Sequence, residues 1–182
     1  MTCDRVRPGD TGDIGDTIEP MDIHENVAPL AFLIGSWSGD GQGTYPTSKD
    51  FTYTETLTFV APPGKSFLFY QQHTANPEGK PMHTEAGYLR PQGENIEFTL
   101  ANPTGQTEVL HGKVINHTDG SLELRFEESQ VTNTATAKPV DATTRRFIIN
   151  ASRTTMRCEF DMAAVGQTMN NHLVSLLTKD TA

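Results

Sequence analysis

The chain has 182 residues, a fifth of them charged, and a formal net charge of −9. That length forms one domain with a core of its own. The acidic balance argues against a nucleic-acid or anionic-membrane partner, either of which needs a basic face, and no apolar run approaches the length of a membrane span.

Residues 1–20 are rich in Asp, Gly, Thr and Pro without an apolar stretch, so they read as a disordered tail and not a signal peptide. The folded domain is expected over 21–182. Its first segment, Met21 to Ile34, has helical character. Asn26 is placed to cap a short turn running into Leu30, Leu33 and Ile34, with Pro29 in the first turn. A helix of one or two turns there would plug one end of a barrel.

Next comes Gly35-Ser36-Trp37-Ser38-Gly39-Asp40-Gly41-Gln42-Gly43-Thr44-Tyr45-Pro46, which holds the only tryptophan. In a strand Gly35, Trp37, Gly39, Gly41 and Gly43 share one face. Such a glycine run marks a bend or a surface that another group approaches closely. A phosphate-cradling loop is a poor reading, because no Lys-Ser/Thr follows and no βαβ unit surrounds it.

Period-two alternation then dominates. In Phe51–Phe59 one face carries Phe51, Tyr53, Glu55, Leu57 and Phe59 and the other carries four threonines. Further strands are expected at 66–74, 82–90, 95–101, 107–115, 121–127, 132–139, 143–150 and 154–162, separated by turn signals such as Asn76-Pro77-Glu78-Gly79 and Asn102-Pro103-Thr104-Gly105. A meander of about ten strands closes into a barrel, which removes exposed edges. The last segment, His172–Thr178, fits a helix face through Met169, His172, Leu173, Leu176 and Leu177. It fits an inward strand face through His172, Val174 and Leu176. Strand is preferred, because closure needs a partner for the glycine-rich first strand.

Among candidate reactive residues, the six histidines show no zinc spacing with one another or with cysteine. Cys3 falls in the tail. Cys158 shares an apolar face with Met156, Phe160 and Met162 and reads as a buried free thiol, suited to a reducing cytoplasm. Glu55 lies on an aromatic face and needs a donor or cation inside the barrel, with Arg90 and Arg145 as candidates for a bracing pair. His83 alternates with Glu85 against Met82, Thr84 and Ala86, which leaves both a pocket-lining and a solvent-facing orientation open. His172 has apolar neighbours and no carboxylate nearby, so its local reading is an imidazole satisfied by a backbone carbonyl.

The pattern Gly35-x-Trp37-x-Gly39-x-Gly41, then Tyr45-Pro46-Thr47, Phe51-x-Tyr53-x-Glu55, Lys80-Pro81-Met82-His83-x-Glu85-x-Gly87-Tyr88-Leu89-Arg90, and Met162 to Gln167 with His172-Leu173, resembles the nitrobindin family over about 25–180. The resemblance implies an all-β fold: a ten-stranded antiparallel up-and-down β-barrel with a short N-terminal helix, similar to fatty-acid-binding proteins. It implies one haem b, with His172 as proximal axial ligand and therefore the catalytic and metal-binding residue, and Thr47 as a haem contact. His83 and Tyr45 are further candidates at the pocket, and Gly35, Trp37, Gly39 and Gly41 are the family signature. Implied too are an open ferric haem that binds nitric oxide and isomerisation of peroxynitrite to nitrate; an apolar distal wall would suit that role better than oxygen storage. Partners would be small molecules, with no nucleic acid and no membrane, in a cytoplasmic monomer or homodimer. The rival classes are a non-catalytic intracellular carrier of a small hydrophobic ligand and a haem or nitric oxide sensor.

Overall fold

The computed structural model describes residues 22–181; the tail read over 1–20, with Cys3, lies outside the described residues. A 3-10 helix over Ala28–Leu33 precedes ten strands: β1 (Gly35–Gly43), β2 (Phe51–Val60), β3 (Leu68–Ala75), β4 (Pro81–Gln92), β5 (Asn95–Ala101), β6 (Gln106–Asn116), β7 (Leu122–Asn133), β8 (Val140–Ile149), β9 (Thr155–Ala164) and β10 (Asn170–Lys179). Each strand pairs antiparallel with its neighbours in sequence, and β10 pairs with β1 to close the barrel. Closure satisfies the backbone groups that an open sheet would leave at its edges. Among the described residues no helix is long and apolar enough to cross a membrane.

Alternation sets the inward face. Tyr53, Glu55, Leu57 and Phe59 of β2 are buried while none of the threonines between them is, as the period-two pattern requires. The segment 132–139 is the exception among the expected strands. Thr132 and Asn133 end β7 and the rest form the turn and loop that lead to β8, because β7 runs on past Glu127 through a bulge opposite His111 and Gly112. A bulge carries the strand past the point where alternation breaks, so the pattern read as two strands is one.

The helix plugs one end. Leu30 and Leu33 pack with Trp37, Leu57, Met156 and Leu177 in the apolar core, and Trp37 Nε1 donates to the Leu33 carbonyl at 2.9 Å. That bond satisfies the indole N–H, which would otherwise be costly at full burial. The cap differs from expectation. Val27 occupies the N-cap without a side-chain bond, and Asn26 instead donates its backbone N–H to His24 Nδ1 at 3.1 Å. Pro29 does sit in the first turn, where its missing N–H costs nothing.

The glycines of β1 serve a packing role. A Cβ on Gly41 would clash with the Tyr53 ring, and one on Gly43 with the Phe51 ring. The room beside this strand is therefore filled by the neighbouring strand's aromatics, and an approaching macrocycle does not meet bare backbone there.

Candidate functional site

At the Gly43 end, opposite the plug, the barrel holds a cavity of about 270 Å³. Its wall includes Phe51, His83, Cys158, Phe160, Met162 and His172. Cys158 is thus a free thiol in the cavity wall, partly exposed to that space, and burial holds its pKa well above the ordinary thiol value.

His172 reaches this wall by an irregularity of β10. Regular alternation buries Ser175 and Leu177, while Leu176 is 62% exposed. The inward set proposed from sequence (His172, Val174, Leu176) is therefore out of phase. The register shifts between Asn171 and Leu173 opposite β9, and this bulge turns His172 to the cavity against the phase of its strand.

Two backbone groups hold the residue. His172 Nδ1 lies 2.8 Å from the Thr44 carbonyl, and the Thr44 N–H donates to the His172 carbonyl at 2.8 Å. A carbonyl only accepts, so Nδ1 carries the ring proton and Nε2 keeps its lone pair. Among the described residues no hydrogen bond engages Nε2. Burial lowers the pKa below the usual histidine value; the Thr44 bond opposes this and His83 adds to it. The imidazole is therefore neutral at pH 7, with one nitrogen fixed and the other free. That is the donor an axial iron bond requires, so the residue fits the haem that the resemblance implies.

Tyr45 stands beside this ring and not in the cavity wall. Its ring meets that of His172 edge-on at 5.2 Å, and its hydroxyl accepts from the Ala164 N–H at 2.9 Å and donates to the Ala164 carbonyl at 3.0 Å. The phenol is thus committed to tying the chain after β1 to the end of β9. Thr47 lies in the exposed turn that follows, outside the cavity wall. His83 turns inward with Glu85, which resolves the two orientations in favour of the pocket.

The interior is more polar than an apolar distal wall would be. Arg145 donates two hydrogen bonds to Glu85, at 2.7 and 2.9 Å, and a third to Glu108 at 3.3 Å. Tyr70 also donates to Glu85, at 3.0 Å, and the guanidinium lies over the Phe160 ring at 4.5 Å. Burial pushes the Glu85 pKa up most strongly of any single influence, yet the Arg145 charge and the hydrogen bonding from His83 and Arg145 together outweigh it and bring the value down to about 2. Glu55 does not pair with a cation as expected. Arg145 is engaged with Glu85 and Glu108, Arg90 pairs on the surface with Glu97, and Glu55 accepts from Gln72 instead. Burial raises its pKa.

Sequence reasoning missed Glu85, Glu108 and Asn102 as members of this network. Glu85 alternates with Gly87 and Leu89, and Glu108 with Gln106 and Leu110, so each shares a face with buried residues. That phase was the available signal.

A family model, the THAP4-like, heme-binding beta-barrel domain, matches residues 26–179. Peroxynitrite isomerase 2 of Mycobacterium avium (strain 104) is 42% identical over 160 residues, spanning 87% of this chain and 97% of that protein. Peroxynitrite isomerase of Nocardia farcinica (strain IFM 10152) is 39% identical over 160 residues, spanning 87% and 93%. The crystal structure of Rv2717c from M. tuberculosis superposes with a TM-score of 0.82 at 35% identity, covering 88% of this chain and all of that one. With its closed ten-stranded barrel and a neutral histidine in the wall of the open end, this chain belongs to the THAP4-like, heme-binding beta-barrel family.

Proposed function

We propose that the protein is a haem-dependent peroxynitrite isomerase that holds one haem b through His172 Nε2 at the open end of the barrel. The observation that carries this reading is the bulged His172, fixed by the Thr44 carbonyl through Nδ1 and uncommitted at Nε2. The relatives named peroxynitrite isomerase support the reaction.

When bound, the haem supplies the iron chemistry that rearranges peroxynitrite to nitrate and an open position for nitric oxide. The protein's own share is orientation. Thr44 fixes the tautomer of His172, and Tyr45, anchored on Ala164, holds Thr44 in place. Tyr45 is therefore a positioning residue for His172. Thr47, at the exposed rim, has a hydroxyl available to a propionate. The protein works in the cytoplasm, where Cys158 stays reduced.

The interior argues against a fatty-acid carrier. A carrier needs an unspent cation for the ligand carboxylate, and Arg145 is neutralised by Glu85 and Glu108. The test is peroxynitrite decay with hemin-loaded protein and nitrate measured as product. The reading predicts faster decay with turnover and a rise in nitrate yield. A normal haem spectrum with unchanged decay would leave a haem or nitric oxide sensor as the better account.

A further inference from the structure

His83 stands in the cavity wall with His172. Its Nε2 lies 3.1 Å from Asn102 Oδ1. Which atom of that amide faces the ring is decided on its other side, where Asn102 Nδ2 donates to Glu108 Oε1 at 3.0 Å. Glu108 also takes hydrogen bonds from Thr143 Oγ1 at 2.6 Å and from Arg145. A carboxylate facing an arginine accepts, so the amide must present its NH₂ to Glu108 and its oxygen to His83. An oxygen accepts, so Nε2 of His83 carries the proton. A second contact agrees: Glu85 Oε2 lies 3.9 Å from the same nitrogen, so a lone pair there would face two acceptors. Among the described residues no hydrogen bond engages Nδ1.

The two histidines of this cavity are thus held in opposite tautomers, His172 protonated on Nδ1 and His83 on Nε2. From this we infer that Asn102, in the turn between β5 and β6, is a positioning residue that leaves His83 Nδ1 as a hydrogen-bond acceptor for a ligand bearing an O–H. Given the proposed function, on which this step rests, that ligand is undissociated peroxynitrous acid in place of its anion. The buried Glu108–Arg145–Glu85 cluster anchors the arrangement, because it locks the amide that locks the ring. Nothing in the order of residues marks Asn102 apart from its place in a turn.

The tautomers can be read in the hemin-free full chain from the 15N signals of the imidazoles. His83 is expected in the Nε2–H form and His172 in the Nδ1–H form. Asn102→Ala is expected to convert His83 to a tautomer mixture while His172 stays unchanged. In the hemin-loaded protein, Asn102→Ala should lower kcat/KM for peroxynitrite about tenfold at unchanged hemin affinity, the size typical of lost outer-shell support. A wild-type His83 protonated on Nδ1 overturns the inference, and so does a tautomer indifferent to Asn102. A tautomer that responds without any change in kcat/KM overturns the ligand assignment. The wild-type spectrum needs no variant, so poor folding of Asn102→Ala does not shield the inference. Because that spectrum is taken without hemin, failure of the haem reading leaves the tautomer result standing.

Discussion

The two ends of the barrel are built from the same strands by opposite rules. At the plugged end β1 contributes Trp37, fully buried, hydrogen-bonded to the helix and surrounded by leucines. Only six residues on, the same strand ends at Gly43 and hands over to Thr44 and Tyr45, whose polar groups are spent on His172 and Ala164. The first end gains stability from apolar burial. The second spends stability on a buried ion cluster, since such a cluster contributes little net stability over a packed apolar core. The lesson is that folding and binding are separable here, and substitutions should divide accordingly.

The largest effect is expected from breaking the plug. Trp37→Ala should lower stability by about 3–5 kcal/mol, read by denaturant unfolding, and the protein that remains folded should bind hemin as the wild type does. A comparable loss confined to the open end is expected from Arg145→Met, about 3–5 kcal/mol at pH 7, because two buried carboxylates lose their cation. The pH dependence tells the two apart. In the wild type Glu85 has a folded pKa near 2 against an ordinary 4.5, so its contribution is complete above about 4.5 and drains away as pH falls toward 2. Without Arg145 burial dominates and the folded pKa rises. The stability of Arg145→Met should then fall with increasing pH and recover in acid, which unfolding midpoints from pH 3 to 7 would read.

Smaller effects probe the junction. Gly41→Ala must displace the Tyr53 ring and is expected to cost about 1–3 kcal/mol by overpacking. Tyr45→Phe removes both hydroxyl bonds to Ala164 and should cost about 1–2 kcal/mol in thermal or denaturant unfolding. Its sharper signature is hemin release about tenfold faster, measured by transfer to an apoglobin, because Thr44 and through it His172 lose their brace.

The fold was legible because a closed meander is written in local alternation and turn residues. Phe51–Phe59 shows its buried face directly, and the pairing of β1 with β10 follows from the need to close. The site was legible only where a family motif marked it, as at His172-Leu173. Alternation alone assigns the wrong inward residues in β10, since a bulge shifts the phase by one and sequence carries no mark of that shift. The partner of Glu55 was unreadable for a related reason. Arg145 could serve several inward carboxylates, and which of them it meets depends on the barrel's cross-section, not on neighbours in the chain. Asn102 was hidden by a third cause: a residue that suits a turn needs no further explanation until its side chain is seen between His83 and Glu108.

The claim on which the account turns is that the open end binds iron through His172 Nε2. Titration of hemin into wild type and His172→Gly, followed in the Soret region with and without added imidazole, tests it most directly. The account predicts a saturable one-to-one Soret band for the wild type, its loss in the variant, and its return when free imidazole fills the vacated position. An identical band in the variant without imidazole would contradict it.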